Sequence, residues 1–357
     1  MASSDHRPAL NALRGFAALT IIAFHFQWAS TFPWATILPW LTFGHLAVEF
    51  FFVLSGLIIS HIYLDAMIAG ERDYRSFIFL RFARIFPVHF VIQLVAIPIL
   101  IENGQNASAS GAFDWVALTL FVHQLTFPQE FVWNVPDWSV NSEMFAYTFI
   151  FPAIVSISRD RSRSVTGLYL LCFGVIMLSV LDAGHGNLFL NAAPGPMIRI
   201  MGGFTIGAGL YCLLALCRRG VNWDWATLAG AVMIPAALAG GNDLAVLGAL
   251  TLVLIGAYMS TGPIASFLSL RPLYVLGELS FSLYLCHWPI LMLMKLMAQA
   301  TGIDRGLLFC LAATVISVFT AALLYSYVEV PARTTLRHWW ATRSSLTPTR
   351  SAGARRG

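Results

Sequence analysis

The stretch "LNALRGFAALTIIAFHF", residues 10–26, is apolar enough to cross a membrane, yet it contains Arg14 and His25. Ionisable side chains inside a membrane are costly, and they indicate a functional site. In a helix these two residues lie on one face, about 16 Å apart along the axis. Taken alone, the two residues are equally compatible with a structural role, in which the arginine snorkels to the headgroups and the histidine hydrogen-bonds a neighbouring helix.

The composition extends this picture to the whole chain. Of its 357 residues, 58% are hydrophobic and 11% are charged, and the mean hydropathy is +0.74. Soluble domains carry about 25% charged residues. Apolar runs of about 20 residues, the length that spans a bilayer, recur from one end to the other. The sequence therefore predicts an all-α integral membrane protein with about ten transmembrane helices.

The individual spans follow from the apolar runs and the residues that interrupt them. A shorter run at 113–127 contains His123 and Gln124, and we expect a re-entrant or interfacial helix there. The predicted full spans lie near 10–30, 44–66, 86–102, 139–158, 165–183, 197–217, 224–240, 243–262, 274–298 and 305–329.

The distribution of basic residues predicts the orientation, because cytoplasmic loops are enriched in Lys and Arg. With both termini in the cytoplasm, all of the 21 Lys and Arg residues except Arg199, Lys295 and Arg305 fall inside. We expect one membrane domain over 1–331, in the cell (inner) membrane. The segment 332–357, rich in Arg, Ser, Thr and Gly, is predicted to be a disordered cytoplasmic tail.

Polar residues on two other predicted spans reach the depth of His25. Glu49 lies near the outer end of the second span. Ser139, Glu143 and Tyr147 are spaced four residues apart and form one polar stripe on a helix that enters from outside. A carboxylate in lipid needs a partner, and a histidine is a suitable one. We therefore expect a functional site at which Glu143 pairs with His25.

A second cluster is predicted at the cytoplasmic side. Arg81 and Arg84 share one face at the start of the third span, at the level of Arg14. The positive-inside rule explains any one of them, but it explains the group less well. Guanidinium groups bind phosphates in a bidentate manner, so the cluster favours a polyphosphate ligand. His287, just before Pro289, is interpreted either as a cavity-lining residue or as a structural partner of the proline kink.

Other classes of site find no support in the sequence. The five cysteines show neither paired nor metal-ligand spacing, so we expect no metal. No nucleic-acid-binding motif is present, and the expected surroundings are the lipid bilayer.

Five motifs in a fixed order resemble the membrane-bound type 3 acyltransferase family, which O-acylates cell-surface glycans, lipid-linked sugars and some secondary metabolites. They cover about residues 8–330. The resemblance implies essential roles for Arg14 and His25, and it matches Trp138 in a Trp-Ser-x-x-x-Glu motif. Val140 and Glu49 depart conservatively from the usual residues. The motifs are Arg-x10-His, "GHLAVEFFFVLSG", "RFARIFP", "WSVNSEMFAY" and "LSFSLYLCHWPI".

The expected activity is transfer of an acyl group, most plausibly acetyl, from cytosolic acyl-CoA to a hydroxyl at the outer face. The acceptor would be a polysaccharide or other carbohydrate of the cell envelope, a lipid-linked sugar or a small molecule. Arg14, Arg81 and Arg84 would bind the acyl-CoA, which is a co-substrate, with no bound cofactor expected. His25 would act as general base, with Glu143 fixing its tautomer, or would first accept the acyl group itself.

A transporter or flippase of a polar or lipid-linked substrate is the alternative, with the same His, Glu and Arg residues as a proton relay. The sequence shows no inverted repeat, which many transporters would show. Release of free CoA distinguishes the two, because a transporter consumes no thioester.

Overall fold

The computed structural model describes residues 7–102, 104, 109–126, 133–189, 194–217 and 222–346. Short 3-10 or π-helical turns interrupt or extend several of the helices. The α-helices in chain order are α1 Pro8–His25, α2 Trp34–Ile37, α3 Leu46–Ile59, α4 Asp65–Ile68, α5 Tyr74–Glu102, α6 Ala109–Thr119, α7 Asp137–Phe145, α8 Phe151–Arg159, α9 Arg163–His185, α10 Gly195–Leu214, α11 Asp224–Ala239, α12 Asp243–Met259, α13 Pro263–Leu268, α14 Arg271–Thr301, α15 Leu307–Leu324 and α16 Val330–Leu346.

The fold is that of an all-α integral membrane protein, as predicted. Eight helical segments of the described chain are long and apolar enough to cross a membrane. Two shorter apolar helices, α11 and α12, coincide with the seventh and eighth predicted spans. Helix α6 has 11 residues, about 16 Å, which is too short for a hydrocarbon core of about 30 Å. The eight long segments are Pro8–Trp28, Pro39–Ile68, Tyr74–Glu102, Asp137–Arg159, Arg163–His185, Gly195–Leu214, Arg271–Thr301 and Leu307–Arg343.

Two predicted boundaries differ from the structure. Helix α5 begins at Tyr74 rather than near residue 86, and it continues through Pro87 and Pro98. Neighbouring helices can satisfy the backbone groups that a proline leaves free inside a membrane bundle. The second difference is at the C-terminal end, where α16 is helical to Leu346. Disorder is therefore wrong for 332–346, and 347–357 lies outside the described residues.

Close packing of small residues brings the functional helices together. A Cβ added at Gly277 of α14 would lie 1.9 Å from the carbonyl oxygen of Asn11 in α1. A Cβ at Gly207 of α10 would lie 1.9 Å from the carbonyl oxygen of Val53 in α3. Glycine at these positions lets the backbones touch, as is common in membrane helix packing. Consequently α1 lies against α14, and α3 lies against α10.

Candidate active site

His25 at the end of α1 lies against His287 in the middle of α14. The Nδ1 atom of His25 is 2.7 Å from the Nε2 atom of His287, and both side chains are buried. Their rings are nearly parallel, with an interplanar angle of 9° and centroids 5.0 Å apart. The contact between α1 and α14 through Gly277 sets this pairing. His287 is 1% exposed and lines neither of the cavities described below, so it is a partner of His25 rather than a cavity-lining residue.

The hydrogen bonds of this pair determine which nitrogen of His25 carries a lone pair. The Nδ1–H of His287 donates to the carbonyl oxygen of Tyr284 at 2.6 Å. A neutral imidazole has only one N–H, so Nε2 of His287 accepts, and Nδ1–H of His25 donates to it. Nε2 of His25 then has no proton and no hydrogen-bond partner among the described residues. This is the tautomer that a general base needs.

His25 lines a cavity of about 690 Å³, including space open to solvent, which we call the histidine cavity. Six of its twelve lining residues are Phe, Trp or Tyr, and its polar groups are those of His25, His45, Arg199 and Tyr284. Such a site suits a ligand with an apolar face and a few hydrogen-bonding groups. Its lining comprises Ile21, Phe24, His25, Trp28, His45, Val48, Val135, Trp138, Phe189, Arg199, Tyr284 and Trp288.

A buried ion pair supports one wall of the histidine cavity. Arg199 of α10 donates from Nε to the carboxylate of Glu49 in α3, and both side chains are fully buried. The guanidinium carbon of Arg199 lies 4.3 Å from the ring centroid of Trp138. The predicted need of Glu49 for a partner is therefore met by an arginine of the neighbouring helix. Glycine packing between α3 and α10 brings the two charges together.

A second cavity lies around the predicted arginine cluster, and we call it the arginine cavity. It has a volume of about 890 Å³, including space open to solvent. Arg14, Arg81 and Arg84 share it, as the sequence predicted. Its polar lining comprises Arg14, Ser55, Arg81, Arg84, Ser139, Glu143, Tyr147, Ser280 and Tyr284.

Glu143 belongs to this cavity, and its predicted pairing with His25 is wrong. Its Oε1 atom accepts hydrogen bonds from Ser55 Oγ, at 2.6 Å, and from the hydroxyl of Tyr147. The predicted polar stripe is real, since Ser139, Glu143 and Tyr147 line the same cavity. However, the helix carries Glu143 past the level of His25 toward the arginines. The partner that orients His25 is therefore His287.

The other carboxylates near the arginines are also held by neutral donors. Arg14 lies within electrostatic range of Arg84, Glu143, Glu278 and Glu329. Glu278 accepts from the side chain of Asn11 at 2.7 Å. A carboxylate that accepts hydrogen bonds from neutral donors keeps its negative charge, so these acids offset positive charge around this cavity. Glu278 also accepts from Tyr325 at 2.8 Å, and Glu329 accepts from Ser282 at 2.8 Å.

Val48 and Tyr284 line both cavities, so the two spaces adjoin. The Tyr284 hydroxyl is fixed by Ser139 Oγ at 2.6 Å and by the carbonyl oxygen of Pro136 at 3.2 Å. The arginine cavity and the histidine cavity therefore share a wall at Val48 and Tyr284.

A buried network fixes the start of α7, which carries the polar stripe. Asp137 is fully buried and accepts from Gln93 at 2.5 Å and from Asn134 at 3.1 Å. Asn134 also donates to the carbonyl oxygen of Leu285 in α14 at 3.2 Å. The network thus ties α7 to the helix that carries Tyr284 and His287.

Sequence reasoning missed three residues of the site. Arg199 was counted only as an outer charge, although an arginine within an apolar run is itself a signal. Tyr284 lies within a quoted motif, three residues before His287. His45, whose Nε2 is 3.0 Å from Asp243, lies at the start of the quoted motif "GHLAVEFFFVLSG". No pattern in the sequence indicates the contacts between distant helices that bring these side chains together.

The arrangement has the parts of a group-transfer enzyme, and comparison with known proteins supports this interpretation. A family model described as an acyltransferase domain matches residues 7–326. The chain belongs to the type 3 acyltransferase family. The resemblance inferred from the five motifs is thereby confirmed.

Relatives with assigned names are similar to this acyltransferase along most of its length. Acyltransferase MdmB of Streptomyces mycarofaciens is 26% identical, over 91% of each chain. The peptidoglycan O-acetyltransferase OatA of Listeria monocytogenes is 25% identical over 93% of this chain. The O-acetyltransferase OatA of Staphylococcus aureus is also 25% identical over 93%. The chain spans only 56% and 58% of the lengths of these two OatA proteins.

Taken together, these findings establish a multi-pass membrane O-acyltransferase. No solved structure matches the chain. Among the described residues, no group of three or more His, Cys, Asp or Glu side chains could hold a metal ion.

Proposed function

We propose that the protein transfers an acyl group, acetyl in the first instance, from acyl-CoA in the arginine cavity to an acceptor hydroxyl in the histidine cavity. The observation that carries the proposal is the adjacency of the two cavities, one lined by three arginines and one by a histidine poised as a base. Basic loops favour the cytoplasm, so the arginine cavity would face the cytoplasm and the histidine cavity the outside of the cell (inner) membrane.

The geometry suits a donor with a charged head and a narrow arm. The CoA phosphates would bind Arg14, Arg81 and Arg84, because planar guanidinium groups pair well with phosphate oxygens. Along α1, Arg14 and His25 are about 16 Å apart. The pantetheine arm would cover that distance past Val48 and Tyr284, and would place the thioester beside His25.

The chemical step needs one base and one departing thiolate. The acceptor oxygen attacks the thioester carbonyl carbon while Nε2 of His25 takes the hydroxyl proton. A C–O bond forms, the C–S bond breaks, and the imidazolium returns its proton to the CoA sulfur. The products are the ester and free CoA. In this step His287 is a positioning residue, since it holds the tautomer of His25 without contacting the acceptor.

A carbohydrate acceptor fits the aromatic wall of the histidine cavity. Trp28, Trp138 and Trp288 offer flat surfaces to the apolar face of a sugar ring, and a few polar groups near His25 would orient its hydroxyls. The name of the Listeria relative specifies peptidoglycan. We therefore propose a sugar of the cell envelope or its lipid-linked precursor as the acceptor, with a small-molecule alcohol as the second candidate.

Thiol release in proteoliposomes tests the proposal. Acetyl-CoA is added to vesicles that contain the purified protein and a candidate sugar, and free CoA is measured together with the acetylated sugar. We expect release that depends on the acceptor and is lost with His25→Gln. Movement of the sugar across the vesicle membrane without consumption of thioester would instead establish the transporter.

A further inference from the structure

Helix α16 lies outside the residues that match the family model, yet it packs beside the arginine cavity. Its Trp340 donates from Nε1 to Ser76 Oγ of α5 at 3.0 Å. The ring of Trp340 stacks on Phe79, with centroids 4.3 Å apart and an angle of 17°. These contacts hold α16 antiparallel to the first turns of α5, which also carry Arg81 and Arg84.

Two arginines of α16 share the face that Trp340 turns toward α5. Arg333, Arg337 and Trp340 are spaced at i, i+4 and i+7, which places them on one side of a helix. Arg337 lies within electrostatic range of Arg333, Arg81 and Arg84. None of the described carboxylates forms an ion pair with Arg337, and Arg333 has only Glu329, at 3.9 Å.

Arg81 shows that this cluster has unused binding capacity. It is 6% exposed, its Nη2 donates to the hydroxyl of Tyr63 at 2.9 Å, and its Nε has no hydrogen-bond partner. A buried donor without a partner is costly unless a ligand satisfies it. The four arginines also repel one another; Glu329 offsets part of this repulsion from 3.9 Å, and a bound anion would offset more of it.

We propose that Arg333 and Arg337 of α16 form, with Arg81 and Arg84 of α5, one binding site for phosphate groups, and that these belong to the nucleotide end of the acyl donor. The inference rests on the proposed function, and it adds the C-terminal helix to the donor site. Arg81 and Arg84 reach the phosphates next to the arm, and the more exposed α16 arginines reach the outermost one, on the ribose of the nucleotide.

The donor's outermost phosphate provides the test. Donor KM is measured with acetyl-CoA and with acetyl-dephospho-CoA, which lacks the ribose 3′-phosphate. Because exposed charge pairs are weak, the double variant Arg333→Gln/Arg337→Gln should raise the KM for acetyl-CoA about 3- to 10-fold. The KM for the dephospho donor should be unchanged, and so should kcat. Arg337→Lys should retain part of the effect of the native residue.

Arg343→Gln is the matched control, because Arg343 is on the same helix but its guanidinium carbon lies 4.4 Å from the ring centroid of Trp339. It should leave donor KM unchanged. An equal rise in KM from Arg343→Gln, or equal rises for both donors, would overturn the proposal.

A lipid phosphate is the competing source, so each assay is repeated in vesicles of phosphatidylcholine alone and with phosphatidylglycerol. An effect confined to the anionic vesicles would assign the site to lipid and refute the donor assignment. Binding of adenosine 3′,5′-bisphosphate, measured as thermal stabilisation, separates this inference from the proposed function. Stabilisation of the native protein that weakens in the double variant supports the site even if acetyl-CoA is not turned over.

Discussion

The two cavities differ in how their functional side chains are connected to one another. In the arginine cavity, positive charge comes from several residues on α1 and α5, and the carboxylates beside it are held by hydroxyl and amide donors. In the histidine cavity, one chain of hydrogen bonds runs from the Tyr284 carbonyl through His287 to His25. Replacing one arginine should therefore remove only part of the positive charge of its cavity. Replacing one member of the hydrogen-bonded chain should interrupt the whole chain.

The largest expected effect is therefore at His25. Replacement by Gln keeps a hydrogen-bonding side chain but removes the imidazole that would act as the base, so kcat should fall by about 10²- to 10⁴-fold. Acyl transfer from acetyl-CoA by the purified variant measures this, beside its thermal stability.

His61→Gln is the control for the loss of a histidine as such. His61 is half-buried, its Nδ1 atom lies 2.9 Å from the hydroxyl of Tyr258, and it lines neither cavity. Its kcat, measured per folded molecule, should stay near that of the native protein. Near-native turnover by His25→Gln would contradict the catalytic role and leave this pair with a packing function.

The next effect concerns stability rather than turnover. Glu49→Gln removes one charge of the buried Glu49–Arg199 pair, and breaking a buried pair in this way costs about 3–5 kcal/mol of the free energy of unfolding. Thermal unfolding in detergent should show a large drop, and Glu71→Gln, at an exposed position, should show none. The double variant Glu49→Gln/Arg199→Gln should recover part of the loss. If Glu49→Gln were as stable as the native protein, the ion pair would not support the cavity wall.

Replacing a single arginine of the arginine cavity should weaken donor binding only in part. Arg81→Gln and Arg84→Gln should each raise the donor KM by about 10- to 150-fold, since a charge-assisted hydrogen bond contributes about 1.5–3 kcal/mol. The acceptor KM should stay constant. Initial rates with each substrate varied in turn measure both constants, and a rise in acceptor KM instead would place the acceptor in this cavity.

His287 tests the serial chain without removing the base. His287→Gln should lower kcat by about 10- to 100-fold, less than the loss of the base itself, which is worth about 10²- to 10⁴-fold. The pH profile of kcat should also move, because His25 would no longer be held in one tautomer. A purely structural role would reduce the amount of folded protein but leave the pH profile of the remainder unchanged.

The sequence predicted the fold well, because the local hydropathy of the chain identifies each membrane helix. Arg14, Arg81 and Arg84 were also placed together correctly, since a position at the same end of two spans and a helical spacing suffice to align them. The errors concern relations between helices. The depth of Glu143 depends on how far α7 descends, and the partner of His25 depends on a glycine contact between α1 and α14. Neither is encoded in a local pattern.

The C-terminal segment 332–346 shows the same limit of local sequence patterns. Its composition resembles that of a disordered segment, but Trp340 finds Phe79 and Ser76 on α5, and those contacts stabilise a helix. Helix propensity and charge pattern are properties of the local sequence. The contacts that stabilise α16 are with residues of α5 more than 250 positions away in sequence. Tertiary contact therefore decides the structure of 332–346.

Glu143 gives the smallest expected effect and the sharpest comparison between the cavities. If it oriented His25, Glu143→Gln would lower kcat and leave the donor KM unchanged. In the structure it lies among the arginines, and a glutamine oxygen can still accept from Ser55 and Tyr147. Removal of its negative charge should therefore strengthen the attraction for phosphate and lower the donor KM about 2- to 5-fold, in the range of weak charge pairs. Ser55→Ala, which removes a neutral donor, serves as the control. A fall in kcat with unchanged donor KM would instead indicate that Glu143 orients His25.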